Sequence, residues 1–156
     1  MFAAFALLLA AAPVASGYVL VAFAGDAQVG FVAPASIREE GGLRRFETLW
    51  IYTPAQPLGA GVVRRAVRTN RADCARGTVG EEQALFYGAS GDLLFAESPH
   101  AAVMRPVLPR SAGEDVLRFV CAGAEPYPDI KLSPDVAAAA ALADEIASFY
   151  RANPTR

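Results

Sequence analysis

The sequence is poor in the residues that build metal and redox sites. It has two cysteines and one histidine among 156 residues. Cys74 and Cys121 fit no metal-ligand spacing, and His100 alone does not complete a site with them. No metal or other cofactor is expected. Charge is scarce as well: 19% of residues are charged and the net charge is −2. That balance argues against a dedicated nucleic-acid binder. The first fifth of the chain is the extreme case, with no Lys or Arg before its apolar run and no charged side chain before Asp26. The phosphate loop, the dinucleotide fingerprint and the EF-hand loop are all missing.

What is present is apolar. Hydrophobic residues make up 54% of the chain, which excludes a disordered polymer, and the length is that of one domain. Phe2 to Ala12 is uninterrupted apolar sequence, broken by Pro13. Val14-Ala15-Ser16 then offers small residues ahead of Gly17. This is the layout of a signal peptide over residues 1–16 with a single mature domain over 17–156. The alternative is an uncleaved anchor, but Pro13, Ser16 and Gly17 interrupt the run short of the ~20 apolar residues a spanning helix needs. A cleaved leader implies a periplasmic or secreted, oxidising destination.

Strand signals dominate the first two thirds. Tyr18–Ala24 and Gln28–Ala33 form a hairpin across Gly25-Asp26, and Pro34 to Gly42 is a polar reversal. Leu43–Thr53 is a long strand, Pro54 to Gly61 a loop, and Val62–Cys74 a strand rich in arginine. Gln83–Tyr87 and Leu93–Glu97 form a last hairpin across Gly88 to Gly91. Pro99 to Pro109 is a connector. Ser111 and Glu114 fit a capping box, followed by Val116, Leu117, Val120 and Cys121 on one helical face. Ser133-Pro134-Asp135 opens the last helix with Ser133 as its cap. Leu142, Ile146 and Phe149 form the stripe expected to pack on the sheet, and Pro154 ends the helix. The fold class is α+β: a six-stranded antiparallel meander sheet packed with two C-terminal helices, both expected on one face.

Two cysteines in an exported chain pair by default. A Cys74–Cys121 disulfide would clamp the first helix to the arginine strand and contribute roughly 4 kcal/mol on the chain-entropy account. The alternative is a redox pair or a reactive thiol, which usually sits in Cys-x-x-Cys or beside a base. Neither context occurs here.

Several segments then line up in order: Pro34-Ala35-Ser36-Ile37-Arg38, the Trp50 strand with its proline-rich loop, and Asp73-Cys74-Ala75-Arg76. Leu85-Phe86-Tyr87-Gly88, the Pro106 to Pro109 stretch leading into Ser111-Ala112-Gly113-Glu114, and Val120-Cys121 follow. In these residues Val29 to Cys121 resembles the bacterial surface-adhesin protein E family. The resemblance implies an antiparallel sheet packed on helix with the two cysteines bonded. The family's namesake is an outer-membrane lipoprotein that binds host laminin, vitronectin and plasminogen. This chain departs from that pattern in having no cysteine near the leader for a lipid, and in placing Met104 where an aromatic is expected.

Three groups of side chains are candidates for a site. Arg44, Arg64, Arg65, Arg68 and Arg71 (with Arg45 and Arg76) crowd two adjacent strands and form a candidate patch for an anionic partner. The alternative is solvated surface paired with Glu39, Glu40 and Glu47. Strand alternation puts Arg64 with Arg68 and Arg65 with Arg71. Phe46, Trp50 and Tyr52 share one strand face while Leu43, Leu49 and Ile51 share the other. A half-solvated sheet should not be apolar on both sides, so the aromatic face is a candidate binding or homodimer face. The alternative is a thicker core. The third group is Ser98, His100 and Asp92, which would make a hydrolase. No nucleophile elbow surrounds Ser90 or Ser98, and His100 beside Pro99 reads as a loop residue. Glu81, Glu82, Asp92 and Glu97 read as the acidic surroundings of a turn.

The sequence therefore points to an exported, non-catalytic binding or envelope-associated domain. Its partner is expected to be a protein or glycan at the cell envelope, without nucleic acid and without a membrane span after cleavage. A self-associating structural periplasmic protein and an unrecognised hydrolase are the alternatives.

Overall fold

The computed structural model describes residues 17–153 apart from 25, 26 and 100. The leader expected over residues 1–16, the Gly25-Asp26 turn, His100 and Pro154 lie outside the described residues.

Six strands form the expected antiparallel meander: β1 (Val19–Ala24), β2 (Gln28–Val32), β4 (Leu43–Leu58), β5 (Gly61–Asp73), β6 (Thr78–Tyr87) and β7 (Leu93–Glu97). Two short strands extend it. After a 3-10 turn at Pro34–Ser36, β3 (Arg38–Glu40) folds back through Gly41-Gly42 onto the start of β4, beside β2 on the same edge. Both glycines have positive φ, as a tight two-residue hairpin requires. The connector supplies β8 (Arg105–Pro106), which pairs with the start of β6.

The loop expected from Pro54 to Gly61 is instead strand. β4 runs on to Leu58, and the reversal is only Gly59-Ala60. Proline is tolerated because pairing with β5 is irregular between Ile51 and Gln56, where no ladder amide is needed at position 54.

Helix α1 (Ala112–Ala122) follows its sequence signals closely. Glu114 N–H donates to Ser111 Oγ, while the Glu114 carboxylate accepts from the Arg110 amide at 2.6 Å rather than from Ser111. Val116, Phe119 and Val120 are buried, and Gly123 closes the helix in the left-handed conformation. Helix α2 (Val136–Ala152) starts later than expected. Its cap is Asp135, whose carboxylate accepts from the Ala138 amide at 2.8 Å. Ser133 is taken up elsewhere: its N–H and C=O both pair with Tyr18, which holds it extended beside the start of β1.

The two helices lie on opposite faces, not on one. α1 packs over Val21, Val32, Phe46 and Ala72. α2 packs over Leu20, Val29, Phe31, Leu49 and Ile51. This explains the failed alternation: both faces of the central strands are interior. It also removes the uncovered face from which self-association was inferred. The predicted α2 stripe is displaced. Ala139, Ala143 and Ala147 are buried, Leu142 and Ile146 flank them, and Phe149 is 63% exposed. Alanines bring the helix backbone close to the sheet, and larger side chains fill the margins.

Candidate binding site

The Cys74–Cys121 bond joins the end of β5 to the end of α1, with Cα atoms 5.6 Å apart across 47 residues of sequence. Arg44 adds a second tie, its guanidinium donating to the Val120 carbonyl. Both ties hold the C-terminal half of α1. Toward its N-terminal half a cleft of about 250 Å³ opens between helix and sheet. Gly113 and Val116 form the helix wall. Gln28, Phe46, Thr48, Trp50, Arg68, Asn70 and Val79 form the sheet floor.

Alternation along β4 and β5 explains the floor. Phe46, Thr48 and Trp50 point the same way, and Trp50 pairs with Ala66, Thr48 with Arg68 and Phe46 with Asn70. Trp50 also pairs with Gly30 on β2, and the indole lies across that glycine. A Cβ at position 30 would sit 2.6 Å from the six-membered ring. Glycine is needed here for close approach, not for an unusual backbone angle.

The polar groups beneath the cleft are partly satisfied. Asn70 Nδ2 donates to Thr48 Oγ1 and to the Arg68 carbonyl, each at 3.1 Å. Arg68 pairs with Glu81 at 3.0 Å and donates to the Tyr52 hydroxyl at 3.3 Å. Its Nε is buried with no hydrogen-bond partner. The Phe86 ring lies beside the same guanidinium and stacks on Phe95.

A bulge explains the roles of two neighbouring acids. Asn70 pairs with Glu81 but Thr69 with Gln83, so Glu82 is the extra residue. Glu81 turns to Arg68 in the cleft. Glu82 turns to the other face, where it bridges Arg45 and Arg71, and Arg71 also reaches Glu40. Burial pushes the Glu82 carboxyl up, but hydrogen bonds from Arg45 and Arg71 outweigh it and hold the pKa below its ordinary value. The hydrogen bond to Glu82 correspondingly raises Arg45.

The structure does not gather the candidate arginines into one surface. Arg44 and Arg68 are on the α1 side. Arg64 makes a two-pronged pair with Asp144 of α2 and donates to the Tyr52 carbonyl, so it does not share a face with Arg68. Arg65 lies over the Tyr87 ring, and Arg71 belongs to the Glu82 cluster. Exposed Arg76 reaches Asp73 at 3.7 Å. Of the candidate aromatic face, Phe46 and Tyr52 are buried at 1% and 5% exposure. Trp50 alone remains half-buried, in the cleft. Ser90 Oγ donates to Asp92 at 2.6 Å within its own turn, and Ser98 is exposed. Among the described residues no group of three His, Cys, Asp or Glu is placed to hold a metal, and no helix is long and apolar enough to cross a membrane.

Sequence reasoning missed Gln28, Thr48, Asn70 and Glu81. The available signal was parity: Thr48 and Asn70 are polar residues at positions where their strands turn toward the core.

The comparisons agree with this architecture. Residues 19–122 match the family model described as surface-adhesin protein E. The match ends with the last residue of α1, so α2 lies beyond it. No protein with a curated description matches the chain. Crystal form II of Haemophilus influenzae protein E is similar in fold, with 16% identity and a TM-score of 0.51, covering 72% of this chain and 95% of that one. Protein E from non-typeable Haemophilus influenzae is similar at 15% identity and a TM-score of 0.50, covering 88% and 95% respectively. A family match over well over half of the sequence, on an eight-stranded antiparallel sheet clamped to its helix by the one disulfide, settles the affiliation: the chain belongs to the surface-adhesin protein E family.

Proposed function

We propose that this protein is an exported, non-catalytic recognition module of the bacterial cell envelope. The leader is removed after Ser16, and residues 17–156 work as one domain in the periplasm or outside the cell. The observation that carries this reading is the covalent clamp of α1 onto the sheet beside a preformed cleft. A disulfide persists where thiols oxidise, and a clamped helix keeps a recognition surface in one shape, which lowers the ordering cost of binding. Membership in an adhesin family supports binding as the activity. The partner is a protein or glycan at the envelope, and no reaction is assigned to any side chain.

The test is fractionation of cells making the full-length chain, followed by non-reducing mass spectrometry. The expected product begins at Gly17, is found outside the cytoplasm and lacks both thiol hydrogens. A cytoplasmic chain with its leader intact and both thiols free would overturn the reading.

A further inference from the structure

We propose that the cleft under α1 seats a single neutral pyranose ring, the terminal residue of an envelope or host glycan; this rests on the reading of the protein as an envelope binding module. Three observations lead there.

The first is the platform. The six-membered ring of Trp50 lies against Gly30, and the same side chain lines the cleft. A flat aromatic surface held by backbone suits the C–H face of a sugar, as amphipathic rings do at binding sites generally.

The second is the polar surround. Among the described residues the Gln28 side chain has no hydrogen-bond partner, and it lines the cleft. Asn70 and Thr48 bond to one another and leave lone pairs over. Arg68 brings a guanidinium to the same cleft, held in place by Glu81 and the Tyr52 hydroxyl. Hydroxyls both donate and accept, so a polyol matches a mixed set of amides, hydroxyl and guanidinium.

The third is what the cleft excludes. Among the described residues Arg68 is the only cation in its lining, and Glu81 already neutralises it at 3.0 Å, so an anion gains little. The volume of about 250 Å³ is below the roughly 300–1,000 Å³ of drug-sized pockets, the scale of a single ring.

Trp50 is the sole tryptophan, so its emission reports directly on the cleft. The mature, disulfide-bonded protein is titrated with methyl glycosides of neutral hexoses and N-acetylhexosamines. A saturable emission change with a millimolar Kd is expected for at least one of them. Gln28→Ala should weaken it by roughly three- to tenfold, the value of one net hydrogen bond. Arg68→Lys keeps the charge opposite Glu81 but loses the planar guanidinium at the cleft, and should weaken it similarly. Emission unmoved by every glycoside, moved instead by acetate or phosphate, or responding equally in both variants would overturn the proposal. Immobilised oligosaccharides from bacterial envelopes and from host glycoproteins then separate the two sources. Retention on either supports the ring, and retention on neither opposes it. A flat titration by protein that is still exported, cleaved and bridged removes the sugar alone and leaves the envelope module standing.

Discussion

The two faces of the sheet are closed by different means. On one, the 11-residue α1 is held by a disulfide, by Arg44 and by a serine cap, yet its first turn leaves a cleft over Thr48, Trp50, Arg68 and Asn70. On the other, the 17-residue α2 has no covalent tie and seals the sheet with alanines over Leu20, Phe31, Leu49 and Ile51. Its anchors are polar and peripheral: the Tyr18–Ser133 bridge and the Arg64–Asp144 pair. The contrast is physical. A helix that packs closely along its length needs no clamp, because burial supplies the contact free energy. A helix that stands off part of the sheet gives up some of that burial, and a crosslink keeps it in place.

Breaking the clamp is the strongest way to test this difference. Replacing both cysteines with serine should cost roughly 4 kcal/mol for a 47-residue loop. The measurement is urea denaturation of the bridged and double-serine proteins. Hydrogen exchange should show the loss concentrated in α1 and the end of β5, with α2 amides retaining their relative protection. Uniform loss across both helices would mean that the faces are not separately held.

The reverse experiment attacks α2 by packing alone. Ala143 is fully buried between the helix and the sheet. Ala143→Leu forces new volume into a closed contact and should cost about 1–3 kcal/mol. Val136→Leu, on the same helix but at a partly buried position, should cost less, because the margin can adjust. Equal effects in thermal unfolding would count against a close-packed alanine face.

Smaller again are the two caps. Ser111→Ala and Asp135→Ala each remove one side-chain acceptor from a helix start and should each cost about 1 kcal/mol. The comparison predicts a difference in where the damage appears. Fraying of α1 opens the cleft and should alter Trp50 emission, whereas fraying of α2 should leave it unchanged.

How much of this was legible beforehand depends on the range of the interaction. Local signals worked: the β-branched and aromatic runs, the serine cap at 111 and the glycine reversals specify structure within a few residues. The cysteine pair was legible because two thiols behind a leader-like apolar run leave little choice. The placement of the helices was not. Apolar residues on both sides of β4 require two covers, but which helix takes which face depends on the chain between Gly123 and Asp135, which has no strong local preference. Pro54 and Pro57 looked like a loop because the irregular pairing that accommodates them belongs to β5. The cleft was hidden for a similar reason. Thr48 and Asn70 are 22 residues apart and meaningful only once β4 and β5 are in register. The Glu82 bulge, which sends adjacent acids to opposite faces, has no composition signal at all.

The smallest expected effect is electrostatic, and it sharpens the contrast between a polar cluster and two packed interiors. Glu82 is held below its ordinary value by Arg45 and Arg71 despite partial burial. A depressed carboxyl stabilises the fold at pH values above its unfolded pKa, near 4.5. That contribution declines as the pH falls from there through the lower folded value, where both states become protonated. Melting temperature should therefore fall more steeply below about pH 5 in the native sequence than in Glu82→Gln, which cannot titrate there. Above that window the native protein should be the more stable of the two, by a margin that shrinks as salt is added, because Arg45 and Arg71 are both more than a third exposed. Parallel acid profiles for the two proteins would show that the cluster is solvated decoration. Convergence at low pH would show that it fastens β4, β5 and β6 to one another.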